Sequence, residues 1–550
     1  VLDLPGHGRV AVPAAPVHEL LNHLRALFDS PPAGDGPLTV HRLQGIALGD
    51  GGIFQQPAVL RQLADDLQQA PAPERYPLPE RLHATLYPYQ ADGYRWLQHL
   101  AALGLGGILA DDMGLGKTVQ TLAHLQRLHE TGGLTVPALV VCPASMVGVW
   151  AREAARFAPD LRVGILHGGD RHDHFDKLAD FELLITTYAT LTRDAKKLSE
   201  DELAAVICDE AQAIKNPQSK AAQSVRRLRC GQRLALTGTP LENHLGELWA
   251  QLDWLAPGLL GSARRFDRCF RKPIEQYGQT QRAELLRRRV APFILRRRKD
   301  QVANELPPKT ETVLPVSLGK AQRTLYESVR ATVDKEIRQA MAAKGLARSQ
   351  IEFLEALLRL RQVCCDPRLL KKTQHRVTDS AKLDLLMELL PTLVEDGRRI
   401  ILFSQFATML GLIGQACDDA GLAWQQLTGR TRKRQPLIDR FQAGEVPIFL
   451  ISLKAGGTGL TLTAADTVIH YDPWWNPAVE DQATDRAHRI GQDKAVQVYR
   501  LIVAGSVEER VRQLQERKRR LADGLYDNDG QAVAALGEAD VAALLAPLEA

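Results

Sequence analysis

A glycine-rich segment carries the strongest chemical signal in the sequence, and it reads Asp111-Asp112-Met113-Gly114-Leu115-Gly116-Lys117-Thr118. It stands between an apolar run, Ile108 to Ala110, and an amphipathic stretch, Val119 to Leu128, which predicts strand, loop and helix. The backbone N–H groups and the dipole at the start of such a helix favour bound phosphate. We expect Lys117 to reach the β- and γ-phosphates of a nucleotide and Thr118 to hold Mg²⁺. Asp111 replaces the first glycine of the general pattern G-x-x-x-x-G-K-[ST].

A pair of acidic residues, Asp209-Glu210, follows a second apolar run, Ala204 to Cys208. Nucleotide-bound magnesium is held at the carboxyl end of a parallel strand, so Asp209 is the expected metal ligand. Glu210 is expected to orient and deprotonate the attacking water. Acidic residues also suit the start of a helix, which is the simpler interpretation. The glycine loop about 90 residues upstream favours ATP hydrolysis over that interpretation.

The second half of the chain offers cations that suit a phosphate. Arg486 and Arg489 are three residues apart, so on a helix they would share one face and grip a γ-phosphate as arginine fingers. Two helical arginines are also common on a solvated face. Upstream, the glycine-rich stretch 452–460 permits close approach to nucleic-acid phosphate or to nucleotide, or is simply a flexible loop. Likewise, the hydroxyls of the turn Thr237–Pro240 suit either coupling to the water site or a plain turn.

The elements that must position these residues alternate between strand and helix in two blocks. Each block predicts a parallel sheet covered on both faces. The candidate strands are Ile108–Ala110, Ala138–Cys142, Leu183–Thr186, Ala204–Cys208 and Arg233–Leu236, then Ile400–Phe403, Ala423–Leu427, Val446–Ile451, Thr467–His470 and Val496–Leu501. We expect an N-terminal accessory region at 1–80, a first lobe at 81–240, helical insertions and linker at 241–395, a second lobe at 396–505, and a bracing helix with a tail at 506–550.

Composition sets broad limits on the protein class. With 550 residues, 45% hydrophobic and 24% charged, the chain suits several globular domains. The net charge of +4 requires any polyanion site to come from local clusters, such as Arg287–Arg289 and Arg296–Lys299, expected to contact DNA phosphates, organise the lobe interface or lie in solvent. Seven cysteines without C-x-x-C spacing predict reduced core residues and a cytoplasmic protein. The sequence starts at Val1, so we expect a fragment or processed chain.

The order of these segments resembles helicase superfamily two, and within it the bacterial branch of the SWI/SNF-type DNA translocase ATPases. The matching segments are Leu86–Gln90, Asp111–Thr118, Val141–Trp150, Asp209–Asn216, Leu236–Asn243, Phe293–Lys299, Leu402–Phe406, Ser452–Leu460, Tyr471–Pro477 and Gln482–Gln492. Residues 1–80 lie outside this resemblance. Gln212 stands where many relatives have histidine, which leaves open how tightly hydrolysis is coupled to the DNA motifs.

The resemblance implies an α/β fold with two RecA-like parallel-sheet lobes and helical insertions between them. It implies ATP and Mg²⁺ as cofactors, Gln90 as the adenine reader, and the residues 112–118 as the nucleotide loop. Expected DNA contacts are Ser145, Lys215, Asn216, Lys454, Gly456 and Thr458. The expected partner is double-stranded DNA, and the expected client is a DNA-bound protein such as RNA polymerase. We expect a monomeric, nucleoid-associated motor without a membrane segment.

Two other functions compete with this interpretation. A strand-separating helicase would use similar motifs, although the sequence has no evident ladder of aromatic residues for stacking single-stranded bases. A nucleotide-gated binding module that remodels RNA polymerase would use the uncharacterised residues 1–80 for its contact. An inactive scaffold is disfavoured, because Lys117, Asp209, Glu210 and Arg489 are all present.

Overall fold

A computed structural model describes most of the chain. The described residues are 2–4, 8–10, 43, 57–69, 71–168, 170–238, 244–302, 307–344, 349–370, 377–456, 460–474, 476–514, 516 and 538–548. Two compact units divide these residues, with the main boundary between Arg298 and Lys299. Of the region 1–80, the structure describes a short hairpin, β1 (Leu2–Leu4) with β2 (Gly8–Val10), and one helix, α1 (Ala58–Gln68).

The first unit is built on a parallel sheet. Its described strands are β3 (Gly107–Leu109), β4 (Ala138–Cys142), β5 (Val163–Leu166), β6 (Leu183–Thr187), β7 (Glu202–Asp209), β8 (Arg229–Leu236) and β9 (Ile294–Leu295). They lie in the order β5-β6-β4-β7-β8-β3-β9, and every pairing among them is parallel. Its longer helices are α2 (Pro88–Ala102), α3 (Lys117–Glu130), α4 (Val147–Phe157), α5 (Tyr188–Leu198), α6 (Lys220–Arg227), α7 (Leu245–Leu255) and α8 (Thr280–Val290).

Apolar side chains on both faces explain why this sheet is covered on both sides. Alternate residues of β4 point to opposite faces, so Leu139 and Val141 enter one apolar cluster while Val140 and Cys142 enter another. All four are fully buried. Burying one such large aliphatic side chain contributes about 1.5–3 kcal/mol, so the two clusters hold the strand ends in fixed positions.

The second unit repeats this plan with a different strand order. Its described strands are β10 (Lys309–Val316), β11 (Ile400–Ser404), β12 (Trp424–Leu427), β13 (Ile448–Ser452), β14 (Thr467–His470) and β15 (Val496–Val503), all parallel, in the order β10-β15-β14-β11-β13-β12. Its longer helices are α9 (Lys320–Lys344), α10 (Gln350–Cys365), α11 (Ala381–Glu395), α12 (Ala407–Asp419), α13 (Gln435–Ala443) and α14 (Pro477–Thr484), followed by α15 (Glu538–Leu544). A further helix occupies residues 507–514.

Shorter helical pieces link the longer elements. They are Asp170–Asp180, Ala211–Ile214, Ala263–Phe266, Asp267–Arg271, Lys272–Glu275, Ala291–Phe293, Lys299–Val302, Pro367–Leu369 and Leu453–Gly456. In the part of the chain that the structure describes, no helix is long and apolar enough to cross a membrane.

The two parallel sheets confirm the predicted α/β fold class, and every candidate strand overlaps an observed one. The sequence interpretation missed β5, β9 and β10. Two of these lie within 241–395, which was expected to be helical. β9 is only two residues long, and β10 begins Lys-Thr-Glu-Thr because it forms an exposed edge of its sheet. Neither gives the continuous apolar run that marks a central parallel strand.

Candidate active site

Four neighbouring strands of the first sheet deliver the candidate residues to one edge. The neighbours β4, β7, β8 and β3 are all parallel, so their carboxyl ends meet at the same edge. The glycine loop follows β3, Asp209 ends β7, and Thr237 follows β8 directly. Ser145 lies three residues beyond β4. The topology thus brings together segments that are far apart in sequence, since Gly107 and Thr237 are separated by 130 residues.

The loop between β3 and α3 has the backbone that a phosphate cradle requires. Gly114 and Gly116 have φ angles of 84° and 80°, in the left-handed region that favours glycine. Lys117 is the first residue of α3, and its ammonium group donates to the carbonyl oxygens of Asp111 (2.6 Å) and Asp112 (3.3 Å). The lysine therefore folds across the loop, where it is placed to meet phosphate oxygens.

Gln90, the expected adenine reader, lies directly against this loop. A Cβ atom at Gly116 would stand 2.4 Å from the Gln90 side-chain nitrogen, so residue 116 must be glycine for this approach. The Gln90 side-chain oxygen accepts a hydrogen bond from the Tyr87 backbone N–H at 3.1 Å, as part of a capping box at the start of α2. Local helix capping thus fixes the orientation of the reader.

Asp209 is buried at the end of β7, and two donors hold its carboxylate. The indole N–H of Trp150 donates to Oδ2 at 2.8 Å, and the backbone N–H of Glu210 donates to Oδ1 at 2.9 Å. Burial and the neighbouring Glu210 charge raise the pKa of Asp209 to about 7, although Trp150 and the charge of Lys117 oppose the rise. The influence of Lys117 shows that the acidic strand end and the loop share one electrostatic environment.

Glu210, the residue after β7, has a strained left-handed backbone. Its φ of 51° makes it the one non-glycine residue with positive φ among the residues that the structure describes. Gln212 donates from its amide nitrogen to the Glu210 carboxylate at 2.8 Å, and its amide oxygen accepts from the Thr237 hydroxyl at 3.1 Å. Gln212 therefore bridges the expected general base and the segment after β8. Thr239–Asn243 lie outside the described residues.

The oxygen donors at this edge fit a nucleotide-bound Mg²⁺. Thr118 supplies a hydroxyl and Asp209 a carboxylate, which are the hard oxygen ligands that Mg²⁺ prefers. Among the described residues, no group of three or more His, Cys, Asp or Glu side chains is placed to hold a metal by itself. In Mg²⁺ sites of nucleotide enzymes, one or two protein ligands begin a shell that phosphates and water complete.

The residues predicted to touch DNA fall at two strand edges. Ser145, Lys215 and Asn216 follow β4 and β7 of the first sheet, where Asn216 is exposed and Lys215 pairs with Glu247 at 3.2 Å. In the second unit, the helical turn Leu453–Gly456 follows β13 directly and contains both Lys454 and Gly456. Thr458 and Trp475 lie outside the described residues.

The two candidate arginine fingers do not lie on a helix, so the expected shared helix face is wrong. Helix α14 ends at Thr484, because the chain then enters a tighter turn with hydrogen bonds between residues three apart. These run from Arg486 N–H to the Ala483 carbonyl and from Ala487 N–H to the Thr484 carbonyl. Arg486 is 3% exposed. The two arginines donate hydrogen bonds to adjacent residues of one loop, Arg486 Nη1 to the Leu460 carbonyl (3.4 Å) and Arg489 Nη1 to the Thr461 hydroxyl (2.8 Å).

The predicted basic clusters are surface patches only in part. Arg289 and Lys299 are 8% and 9% exposed, and the Arg297 side chain is 12% exposed. Lys299 bonds to Asp485 and to the His488 carbonyl within the second unit, while Arg297 bonds to Asp111 within the first. Charge runs in a sequence suggest solvent or polyanion contact, but here Asp111 and Asp485 bind two of these cations away from solvent, while Arg287 and Arg288 pair with Glu284 at the surface.

Sequence reasoning missed two residues that organise this site. Trp150 was noted only as the end of a motif, and Arg297 only as part of a charge run and of the matching segment Phe293–Lys299, with no role of its own. Their partners, Asp209 and Asp111, are 59 and 186 residues away in sequence. Local patterns cannot report contacts at such separations, although an acidic residue in place of a loop glycine hints that a cation must lie nearby.

Two family models match the chain, a SNF2-related domain over residues 89–369 and a helicase conserved C-terminal domain over residues 381–491. The chain belongs to the SNF2-related family. It is similar to the ATP-dependent helicase/translocase YwqA of Bacillus subtilis, with 38% identity over 482 residues that cover 86% of this chain and 52% of that protein. The ISWI chromatin-remodeling complex ATPase ISW1 of Saccharomyces cerevisiae is 35% identical over 462 residues, covering 80% of this chain and 41% of that protein.

A solved structure gives a similar match. The SWI2/SNF2 ATPase core of Sulfolobus solfataricus in complex with dsDNA is 39% identical, covers 82% of this chain and 95% of that chain, and has a TM-score of 0.43. The present chain spans about half the length of the curated relatives it matches. The family models confirm the family expected from the sequence. The two relatives are named as a helicase/translocase and as a chromatin-remodeling ATPase.

Proposed function

We propose that this SNF2-related chain uses ATP hydrolysis to move along double-stranded DNA and to remodel or displace DNA-bound proteins without full strand separation. The observation that carries the proposal is the Gln212 bridge from Glu210 to Thr237. It ties the expected general base to the segment that leaves the neighbouring strand, as a motor must couple hydrolysis to movement. The relatives support the direction of the proposal, since one is named a helicase/translocase and another a chromatin-remodeling ATPase.

The site residues suggest a division of labour in hydrolysis. Lys117 exchanges its bonds with the loop carbonyls for bonds with the β- and γ-phosphates. Thr118 and Asp209 hold Mg²⁺, which neutralises charge on the phosphate oxygens when it is bound. Glu210, oriented by Gln212, positions the attacking water and accepts its proton. Arg486 and Arg489 are proposed to stabilise the charge that develops on the transferred phosphoryl group.

DNA binding is proposed to use phosphate contacts, because these position a protein without reading base sequence. Ser145, Lys215 and Asn216 lie at the strand edge that also holds the nucleotide site. Lys454, Gly456 and Thr458 are their counterparts after β13. Because these residues follow the ends of strands, a small movement at the nucleotide site would alter their grip on the DNA phosphates.

Steady-state ATP hydrolysis tests the proposal when it is measured without nucleic acid and with single-stranded DNA, duplex DNA or RNA. We expect the largest stimulation by duplex DNA, and we expect stimulation to weaken as salt rises, because phosphate contacts release counterions. Displacement of a third strand from a DNA triplex then reports movement along the duplex, and a forked duplex reports strand separation.

Each other outcome identifies a different function. Stimulation mainly by single strands, together with unwinding of the forked duplex, would establish a strand-separating helicase instead. Hydrolysis that no nucleic acid changes would direct attention to a protein client such as RNA polymerase. Lys117→Ala is the control for both assays, because triplex displacement that survives loss of this lysine would not depend on the proposed ATP site.

A further inference from the structure

The cation that fixes the phosphate loop comes from far along the chain. Arg297 lies two residues beyond β9, and its guanidinium forms a two-pronged ion pair with Asp111, with Nε–Oδ1 at 2.9 Å and Nη2–Oδ2 at 2.5 Å. The side chains are 12% and 0% exposed. Asp111 is the residue that replaces the first glycine of the general P-loop pattern. The paired guanidinium is what makes a buried carboxylate tolerable at that position.

The same arginine contacts two other parts of the proposed nucleotide site. Its Nη2 donates to the Gln120 side-chain oxygen on α3 at 2.8 Å, and its Nη1 donates to the Tyr89 carbonyl on α2. Its guanidinium also lies 5.3 Å from the centre of the Tyr89 ring. Tyr89 precedes Gln90, the expected adenine reader. One side chain therefore contacts the loop, the helix that follows it and the adenine-reading segment.

The backbone of this segment supports the loop as well. β9 pairs with β3, and the pairing continues into the loop through bonds from Ala110 N–H to the Leu295 carbonyl (2.7 Å) and from Asp112 N–H to the Arg297 carbonyl (3.0 Å). The strand that leads into the glycine loop is therefore held on its outer side by residues that end the first unit.

A glycine within a helix makes room for this arrangement. A Cβ atom at Gly93 would stand 1.9 Å from the Gln120 side-chain oxygen and 2.6 Å from Arg297 Nη2. Glycine inside a helix costs about 0.5–1 kcal/mol relative to alanine, so its position in α2 is explained by the space that these two side chains need.

The contacts run on to the phosphate-binding lysine. The Asp111 side chain bonds to Arg297, while the Asp111 carbonyl accepts from the Lys117 ammonium group at 2.6 Å. A shift of Asp111 therefore shifts the group that anchors Lys117. We propose that Arg297 is a positioning residue for nucleotide binding, which sets the place of the phosphate loop through Asp111 and the place of the adenine reader through Tyr89. This inference rests on the proposed function, because it takes Lys117 as a phosphate ligand.

The test is Arg297→Lys, which keeps a positive charge beside Asp111 but loses the planar fork. Binding of a fluorescent ADP analogue (N-methylanthraniloyl-ADP) and steady-state ATP hydrolysis are measured without DNA. We expect the Kd for the analogue and the KM for ATP to rise about tenfold, while kcat changes less than about threefold. A misplaced loop weakens ground-state and transition-state binding alike, and that raises KM without lowering kcat.

Arg226→Lys is the matched control. Arg226 lies in the same unit, bonds to a carboxylate (Asp253, 3.1 Å) and to a carbonyl (Ala250, 2.9 Å), and its side chain is 25% exposed. We expect both variants to unfold within a few degrees of the unchanged protein, and only Arg297→Lys to lose nucleotide affinity. Unchanged affinity in Arg297→Lys would overturn the inference.

A second variant covers the case in which Arg297→Lys unfolds. The double change Asp111→Asn with Arg297→Met removes both buried charges together, so no charge is left unpaired. We expect this protein to fold and to bind the ADP analogue at least tenfold more weakly, and full affinity would overturn the inference. Failure of the proposed function would be seen in a different measurement. In that case duplex DNA would not change the hydrolysis rate of the unchanged protein, whatever the Arg297 variants do.

Discussion

Two buried aspartates, one in each unit, end up in comparable places and do different work. Asp209 ends β7 and Asp472 lies two residues beyond β14, so both stand at the carboxyl edge of a parallel sheet. Asp209 is held by neutral donors, the Trp150 indole and a backbone N–H. Asp472 is held by the Ser404 hydroxyl at 2.6 Å and by the guanidinium of Arg361 at 3.7 Å.

The difference lies in whether a cation of the protein already neutralises the charge. Burial raises the pKa of both carboxyl groups. Arg361 compensates the charge of Asp472 and also bonds to the Pro473 carbonyl, so this carboxylate joins α10 to the strand edge. Under the proposed function, Asp209 is the carboxylate that binds a cation arriving with the nucleotide. The comparison teaches that strand-end position suggests a function, and that the neighbouring side chains decide which function it is.

Removing Lys117, the lysine of the glycine loop, should lower ATP hydrolysis more than any other substitution considered. We expect Lys117→Ala to lower ATP hydrolysis about a thousandfold, because a preorganised cation that meets developing charge is typically worth 10²–10³ in rate. Duplex DNA binding without ATP should persist. Lys220→Ala is the control, since Lys220 is also the first residue of a helix in this unit but is exposed. Near-normal turnover in Lys117→Ala would remove the loop from the mechanism.

Asp209→Asn should separate chemistry from stability. We expect hydrolysis to fall about a hundredfold while the unfolding temperature stays level or rises. The folded pKa of Asp209, about 7, exceeds the unfolded value of 3.8, so the ionised carboxylate opposes folding. Its destabilising effect is absent below about pH 4 and grows as pH rises to about 7. Thermal unfolding in EDTA from pH 5 to 8 should therefore decline less steeply in the variant, and a steeper decline would refute this account.

Arg361→Met should show the opposite pattern in the second unit. Removing the guanidinium leaves Asp472 buried without a cation, which typically costs about 3–5 kcal/mol. We expect a clearly lower unfolding midpoint in denaturant, with hydrolysis per folded molecule within about threefold of normal. Arg359→Met is the control, because Arg359 lies on the same helix in a half-exposed pair with Glu336. A selective loss of hydrolysis without a loss of stability would break the comparison.

Gln212→Ala should give the smallest change, confined to the first unit. The substitution frees the Glu210 carboxylate from its amide donor and the Thr237 hydroxyl from its acceptor. We expect kcat to fall about tenfold with little change in KM for ATP, and we expect weaker stimulation by duplex DNA. Gln212→His should restore much of the rate, since imidazole also bonds on two sides. Equal rates in all three proteins would show that the bridge is incidental.

A feature of the fold or the site could be predicted from sequence when it depends on residues that are neighbours in the chain, and was missed when it depends on residues that are far apart in sequence. Strands such as β4 and β14 were predicted with the correct bounds, because the local signal is clear. All five residues of β4 are apolar, and β14 carries the apolar pair Val468-Ile469. The loop residues 112–118 were found in the same way. The end of α14 before Arg486 was not, since no glycine or proline marks it and tertiary contacts such as Thr484 with His470 (2.8 Å) hold it.

The site partners were hidden for a different reason. Trp150 resembles any buried core tryptophan, and only its contact with Asp209 distinguishes it from Trp254, which is equally buried. Arg297 stands in a run of four cations, and only the three-dimensional structure shows that Arg297 and Lys299 turn inward and that Arg297 is the one that binds Asp111. Residue type and spacing identify the groups that touch a substrate, whereas the groups that hold them depend on the fold.

The pairing of Asp111 with Arg297 also determines when, during synthesis of the chain, the proposed nucleotide site can form. The two residues are 186 positions apart. Chains grow at about 5–20 residues per second, so a ribosome needs roughly 10–40 s to reach the arginine after it has added the aspartate. During that interval β3 lacks its outer neighbour, and the carboxylate has no guanidinium to join. The glycine loop is synthesised before β9, and its surroundings become complete only when this last strand of the sheet has been added.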